Sequence, residues 1–150
     1  MSVYNSITET IGDTPIIRLN RMVPPGAHIY VKSERCNPGG SIKDRPALSM
    51  IDDAVARGLL KEGGTIVEPT SGNMGISLAM IAAARGYHAV IVMPDSMTRE
   101  RISLMKAYGA EIVLSPGANG MQGAVELAES IAKEREGFLC GQFDNPANPR

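Results

Sequence analysis

This sequence has few cysteines and almost no net charge, and each of these features excludes some classes of protein. Only two cysteines occur, and the formal net charge is −1. Cys36 and Cys140 have neither a C-x-x-C partner nor a nearby histidine, which argues against a disulfide framework and against a zinc site. The balanced charge argues against nucleic acid or an acidic membrane surface as the main partner.

Long apolar runs and a targeting signal are also missing. The longest apolar run, residues 78–84, is far too short to span a bilayer. Residues 1–15 include Glu9 and Asp13 and lack the basic and then apolar opening of a secretory signal. With 43% hydrophobic and 21% charged residues, the composition is that of one ordinary globular domain. We therefore expect a cytoplasmic protein that partners neither membranes nor nucleic acid.

What the sequence does contain is an alternation of short apolar strands and amphipathic helices. Helices are predicted over 43–57, 74–85, about 98–108 and a last stretch whose apolar face carries Ala124, Leu127, Ala128, Ile131 and Ala132. Strands are predicted at 65–67, 89–93, 111–114 and 138–140, after two N-terminal strands near Ile16 and at 29–32. Such alternation is typical of βαβ units. It predicts an α/β fold, a parallel twisted sheet with helices on both faces.

A lysine stands directly before the first of these helices, in the segment N-P-G-G-S-I-K-D-R at residues 37–45. Ser41 and Asp44 have the spacing of a capping box, which would hold Lys43 at or just before the helix N-terminus. The helix dipole there disfavours the ammonium form, and a neutral lysine can form a Schiff base with an aldehyde cofactor. Without its neighbours, Lys43 would be read as an ordinary solvated lysine.

The neighbours of Lys43 closely resemble a known motif. N-P-G-G-S-I-K-D-R is similar to the cofactor-lysine motif of the cysteine synthase (O-acetylserine sulfhydrylase) and cystathionine β-synthase family, which are fold-type II, tryptophan-synthase-like enzymes. The segment I-G-D-T-P-I-I-R-L at 11–19 resembles the N-terminal segment of that family. The pair Asp44-Arg45 after the lysine fits the motif of this family better than that of the serine and threonine dehydratases. The resemblance implies that Lys43 binds pyridoxal 5'-phosphate covalently and later takes the substrate α-proton.

The loop E-P-T-S-G-N-M-G at 68–75 follows a predicted strand, at the sheet edge where ligands bind in such folds. Its small residues let backbone N–H groups converge at a helix N-terminus, which makes an anion site. From the motif alone, Ser71 or Asn73 is more simply a helix N-cap. The loop also resembles the substrate loop of the family. By that resemblance Thr70, Ser71, Gly72 and Asn73 bind the substrate, and Asn73 also contacts the cofactor ring oxygen.

Two further positions bear on the substrate. The segment G-Q-F-D-N-P at 141–146 resembles the Q-[FY]-x-N-P segment of the family, which implies that Gln142 contacts the substrate carboxylate. Without the resemblance, a buried glutamine that satisfies a strand end explains the pattern equally well. Met74 stands where the family usually has threonine, so a hydroxyl is lost and substrate preference stays open. The mixed-charge segment 99–101 reads as a solvated helix face.

Family members are about twice as long as this chain, so the resemblance covers their N-terminal half. It implies that residues 1–37 contribute strands to the larger domain, that 38–145 form the small α/β domain, and that 146–150 begin the C-terminal half. The implied reaction is the replacement of acetate in O-acetylserine by sulfide to give cysteine, with this chain alone inactive. Cystathionine β-synthase activity, a non-catalytic truncated module and a dehydratase remain alternatives. A homodimer and contact with serine acetyltransferase are implied partners.

Overall fold

The computed structural model describes residues 2–96 and 98–148, and strands and helices alternate along most of that length. The strands are β1 (Ile16–Arg18), β2 (Tyr30–Lys32), β3 (Thr65–Pro69), β4 (His88–Pro94), β5 (Glu111–Ser115) and β6 (Phe138–Leu139). The α-helices are α1 (Asp44–Ala56), α2 (Asn73–Arg85), α3 (Arg99–Ala107) and α4 (Gly120–Glu134). No helix within the described ranges is long and apolar enough to cross a bilayer.

The main sheet has four parallel strands in the order β5-β4-β3-β6. Successive side chains of a strand point to opposite faces, so Val67 packs with helix α4 while Ile66 faces a second core. That second core contains buried residues of α1, α2 and α3, such as Met50, Leu78 and Met105. Both faces of the sheet are therefore covered, and the predicted α/β fold is confirmed.

The N-terminal strands form a separate antiparallel pair in which Ile16 faces Lys32. Apolar side chains of this ribbon are unusually exposed, with Ile16 at 67% and Tyr30 at 58%. An isolated two-stranded ribbon is only marginally stable in water. This exposure accords with the expectation that residues 1–37 pack into a larger domain, and the domain boundaries stay a prediction. Of the segment 146–150, residues 149 and 150 lie outside the described part of the chain.

Candidate active site

A cavity of about 490 Å³ opens beside the carboxyl ends of β3 and β6. Ligands of parallel α/β sheets bind at this edge, because the loops that leave neighbouring strands meet there. Six of its lining residues are the ones that the sequence assigned to cofactor or substrate: Lys43, Thr70, Ser71, Gly72, Asn73 and Gln142. The fold thus brings together three segments that are far apart in sequence.

Lys43 occupies the N-cap position of α1 and is half-buried. Its backbone N–H donates to the Ser41 hydroxyl at 3.1 Å. The predicted capping box is wrong, because the Asp44 carboxylate accepts from other donors than the Ser41 N–H, and only the Asp44 backbone N–H contacts Ser41, at its carbonyl. The Asp44 carboxylate is fully buried and accepts hydrogen bonds from the Gly39 N–H and the Ser77 hydroxyl, both at 2.5 Å. Asp44 thereby ties the loop before Lys43 to helix α2.

The two glycines of the lysine loop are needed for different reasons. A Cβ on Gly39 would collide with the Asp44 carboxylate, so this position requires the smallest residue. Gly40 has open space around it but a φ of +81°, a conformation that other L-residues rarely adopt. One glycine permits a close approach and the other permits a turn. Together they allow the chain to fold tightly just ahead of Lys43.

Asn37 closes the other end of the lysine loop. Its side-chain amide donates to the carbonyl of Ser41 at 3.1 Å and to the carbonyl of Glu34 at 2.8 Å. Its side-chain oxygen accepts the Gly12 N–H at 2.9 Å. Asn37 is 3% exposed, so these bonds are sheltered from water. The residue is therefore a structural support for the lysine loop.

Arg45 supports the same loop through an ion pair with Glu34. Its guanidinium donates to both carboxylate oxygens of Glu34, at 2.7 and 3.0 Å, and also to the Thr14 hydroxyl at 3.2 Å. The hydrogen bond from Arg45 is the main reason why the pKa of Glu34 falls to about 2. Most of the N-P-G-G-S-I-K-D-R motif is therefore scaffold. Its function is to hold Lys43 in a fixed position.

The substrate-loop segment leads from β3 into α2. The Thr70 N–H still donates to the Val92 carbonyl at 2.9 Å, and helix α2 begins immediately after Gly72. The alternative in which Ser71 or Asn73 caps the helix is wrong, because Gly72 is the N-cap and no described side chain caps it. The start of α2 therefore borders the cavity with its dipole positive end uncapped, an arrangement that favours a carboxylate.

Arg101 also lines the cavity, which the sequence did not predict. Its guanidinium donates to the Ser71 carbonyl at 3.1 Å and so connects helix α3 to the substrate loop. Segment 99–101 is exposed, as predicted for a solvated helix face, and Arg101 makes this one contact from it. The contact spans 30 positions of sequence. A charge pattern within one helix carries no signal for a contact with another loop.

Gln142 enters the cavity from the turn that follows β6. The residue is 8% exposed, and its carbonyl accepts the Asn148 amide at 2.6 Å. The turn itself is held by Asn145, whose backbone N–H and side-chain amide donate to the carbonyls of Gly141 and Cys140 at 2.9 Å each. Asn145 of the Q-F-D-N-P segment therefore shapes the turn that carries Gln142.

Glu68 is a buried acid that contacts the turn carrying Gln142, and the sequence did not indicate this role. The residue is fully buried in β3. One carboxylate oxygen accepts the Gly141 N–H at 2.8 Å and the other accepts the Gln142 N–H at 3.4 Å. Burial raises the pKa of Glu68 to about 7, despite these hydrogen bonds, which act in the opposite direction. Its only sequence signal was an acidic residue at the end of an apolar strand.

Comparisons with known proteins agree with this geometry. The family model described as "Pyridoxal-phosphate dependent enzyme" matches residues 7–150. O-ureido-L-serine synthase from Streptomyces lavendulae is 56% identical over 149 residues, which are 99% of this chain and 46% of that protein. A probable cysteine synthase from Bacillus subtilis (strain 168) is 53% identical over 151 residues, 99% of this chain and 49% of that protein.

Solved structures give the same result. The crystal structure of an O-ureido-L-serine synthase matches with a TM-score of 0.96 at 56% identity, over 99% of this chain and 47% of that one. A cysteine synthase structure from Entamoeba histolytica matches with a TM-score of 0.89 at 42% identity, over 97% of this chain and 45% of that one. The chain spans about half the length of the curated relatives it matches.

The described residues fit pyridoxal 5'-phosphate. Lys43 provides an amine at the cavity wall for a covalent link, and Asn73 provides an exposed amide on the opposite loop. The uncapped start of α2 suits the carboxylate of an amino acid bound beside the cofactor. These three groups line one cavity.

Proposed function

Because the chain belongs to the family of pyridoxal-phosphate-dependent enzymes, we propose that the protein that carries it is a cysteine synthase. In this reaction the Cβ–O bond of O-acetylserine breaks, acetate leaves, and sulfide forms the new Cβ–S bond without net oxidation or reduction. The observation that carries the proposal is the single cavity that Lys43, the substrate loop and Gln142 line together. Relatives named cysteine synthase, at 52–53% identity, support the reaction class.

Lys43 is the proposed catalytic residue. Pyridoxal phosphate, when bound, supplies an electron sink for the substrate α-carbon. Lys43 Nζ holds the cofactor covalently and, once released, takes the proton from the substrate Cα. The contacts of Asn37, Asp44 and Arg45 fix the lysine loop, so the amine is already positioned for reaction before the substrate binds. Asn73 orients the cofactor through its ring oxygen.

The substrate loop is the proposed clamp for the substrate carboxylate. The hydroxyls of Thr70 and Ser71 and the backbone at Gly72 lie at the positive end of the α2 dipole, which attracts the carboxylate. Gln142 lines the same cavity and is the proposed further contact to the carboxylate. Arg101 holds the Ser71 carbonyl, so a movement of the loop over the substrate, which would exclude water, is coupled to helix α3.

The domain arrangement and the partners form the next part of the proposal. We infer that residues 1–37 pack into a larger domain and that residues 38–145 form the small domain, and the exposed apolar side chains of β1 and β2 support this. A homodimer and contact with serine acetyltransferase follow from the family resemblance alone, whereas the cytoplasmic location is proposed from the composition, in particular the two isolated cysteines. Gel filtration with light scattering checks the dimer, and co-purification with serine acetyltransferase checks the partner.

A second candidate shares the first half of the reaction but uses another nucleophile. The 56% identity to O-ureido-L-serine synthase favours it. By atom balance, that product requires hydroxyurea to attack Cβ through its hydroxyl oxygen. Both candidates therefore need the same lysine and the same carboxylate clamp. They differ only in the nucleophile that enters after acetate has left.

An acceptor panel tests these functions. The full-length protein that carries this chain is supplied with pyridoxal phosphate, O-acetylserine and one of three acceptors, namely sulfide, hydroxyurea or homocysteine. We expect the highest kcat/KM with sulfide. Preference for hydroxyurea would replace the first candidate by the second, and preference for homocysteine would indicate cystathionine β-synthase activity. If acetate is not released with any of the three acceptors, the proposed β-replacement is contradicted.

A further inference from the structure

The turn that carries Gln142 begins where the sheet runs out of hydrogen-bond partners. Strand β6 ends at Leu139, and the Cys140 N–H makes the last ladder bond, to the Val67 carbonyl at 3.0 Å. Gly141 then turns away with a φ of +64°. A buried backbone N–H without an acceptor destabilises a fold. The next two N–H groups therefore need acceptors from outside the ladder.

Glu68 supplies both acceptors. The Gly141 N–H donates to Oε2 at 2.8 Å, and the Gln142 N–H donates to Oε1 at 3.4 Å. An ionised carboxylate has two acceptor oxygens, whereas a glutamine amide has one acceptor and one donor group. Only the carboxylate can accept from both N–H groups at this side-chain length. The pair of contacts fixes the main chain at the residue whose side chain lines the cavity.

The burial of this charge needs a reason. Glu68 is fully buried, and no described lysine, arginine or histidine forms a salt bridge with it. The groups that act on it are the backbone N–H groups of Gly141 and Gln142, the Gln142 side chain and the neighbouring Cys140 thiol. An apolar side chain would avoid the cost of burying a carboxylate. The hydrogen bonds to the Gln142 turn are what a carboxylate provides and an apolar residue does not.

We propose that Glu68 is a positioning residue that sets the Gln142 side chain against the substrate carboxylate by anchoring the main chain of residues 141 and 142. The inference rests on the proposed function, because Gln142 matters only if the cavity binds an amino acid. Glu68 also lies two residues before Thr70 in the same strand and loop. One buried carboxylate therefore connects the two segments that the proposed function assigns to the substrate carboxylate.

A set of four variants of the full-length protein tests the role of Glu68. They are Glu68→Gln, Gln142→Ala, the double variant, and Glu111→Gln as the matched control. Glu111 undergoes the same chemical change in an exposed ion pair with Arg135, away from the cavity. The measurements are KM for O-acetylserine and kcat with sulfide, at pH 6, 7 and 8. Hydrogen exchange of the 140–145 segment is followed in parallel without substrate.

We expect Glu68→Gln to raise KM about tenfold at pH 8, the size expected for one lost charge-assisted hydrogen bond, with kcat changed less than about twofold. Binding to the carboxylate is the same in the ground state and the transition state, so the effect falls on KM. The ratio of the KM of Glu68→Gln to that of wild type should shrink towards one at pH 6. Exchange in the 140–145 segment should be faster in the variant, and Glu111→Gln should match wild type.

The double variant separates positioning from a general loss of stability. If Glu68 acts through Gln142, then Glu68→Gln changes KM by less than about twofold once Gln142→Ala is present. The same tenfold change in both backgrounds would overturn the proposal, and so would unchanged exchange in the 140–145 segment. If wild type performs no β-replacement, the proposed function fails, and the exchange data still decide whether Glu68 anchors the turn.

A Glu68→Gln variant that does not fold leaves a test in wild type. After correction for intrinsic exchange rates, the protection of the Gly141 and Gln142 amides relative to that of amides in β3 and β4 should fall as the pH decreases from 8 to 6. Protonation converts one acceptor oxygen of Glu68 into a hydroxyl, which weakens one of the two bonds. Protection that does not depend on pH would overturn the proposal.

Discussion

Glu68 should make the stability of the protein fall as the pH rises from 5 to 8. Its pKa is about 7 in the folded protein and 4.5 in the ordinary, solvated state, and burial is the main cause of the difference. Between these two values the folded protein keeps a proton that the unfolded chain releases. The stabilisation is therefore fully present below about pH 4.5 and is lost as the pH rises through 7.

The size of the effect follows from the shift. One pKa unit corresponds to about 1.4 kcal/mol, so a shift from 4.5 to about 7 changes the free energy of unfolding by roughly 3 kcal/mol in total. Roughly 2 to 3 kcal/mol of this falls between pH 5 and pH 8. The lowered pKa of Glu34, about 2, acts at more acidic pH. Burial raises the pKa of the Cys140 thiol, which acts at more alkaline pH.

Urea unfolding followed by circular dichroism measures this dependence, and it suits a sequence without tryptophan. We expect the free energy of unfolding of wild type to fall by roughly 2 to 3 kcal/mol from pH 5 to pH 8. Glu68→Gln should lack most of this fall, because the amide does not titrate. Glu111→Gln is the control and should follow wild type. Parallel curves for wild type and Glu68→Gln would refute the assignment of the buried proton to Glu68.

Three other substitutions test the supports of the cavity. Asp44→Asn should lower the free energy of unfolding by about 2 kcal/mol in urea titrations, because a buried acceptor of two hydrogen bonds becomes partly a donor; a change below about 0.5 kcal/mol would contradict this. Gly39→Ala should cost about 1–3 kcal/mol by the same assay, since its Cβ meets the Asp44 carboxylate, and stability equal to wild type would show that the loop relaxes freely. Arg101→Ala should raise KM for O-acetylserine roughly threefold or more by loosening the Ser71 carbonyl, whereas Arg99→Ala, the control on the same helix, should not; equal KM values for both variants would remove Arg101 from the loop.

The fold could be predicted from sequence because its signals are local. Apolar periodicity located α1, α2 and α3 to within about one residue at each end and α4 by its apolar face, and Gly86 turns left-handed after α2 with a φ of +75°. The ends of the strands were predicted less accurately. Strand β3 continues to Pro69 because its partner β4 extends alongside it as far as Val92, whereas β6 stops at Leu139, one residue before the predicted end.

The residues that support the cavity could not be predicted in the same way. Asp44 contacts Ser77 across 33 positions, and Glu68 contacts Gly141 across 73. Such contacts arise only when the sheet brings separate loops together, and no short pattern encodes them. Ser41 and Asp44 show the limit clearly. Their spacing is that of a capping box. The Asp44 carboxylate is buried instead, because it accepts hydrogen bonds from the Gly39 N–H and from Ser77 of α2.

The proposed function requires that Lys43 binds pyridoxal phosphate covalently. The most direct measurement is borohydride reduction of the full-length protein with bound cofactor, followed by proteolysis and mass spectrometry of the labelled peptide. We expect one label, on Lys43, and its loss in Lys43→Ala. The variant Lys61→Ala, which replaces an exposed lysine outside the cavity, should keep the label. Label that persists in Lys43→Ala, or that spreads over surface lysines, would contradict the assignment of Lys43.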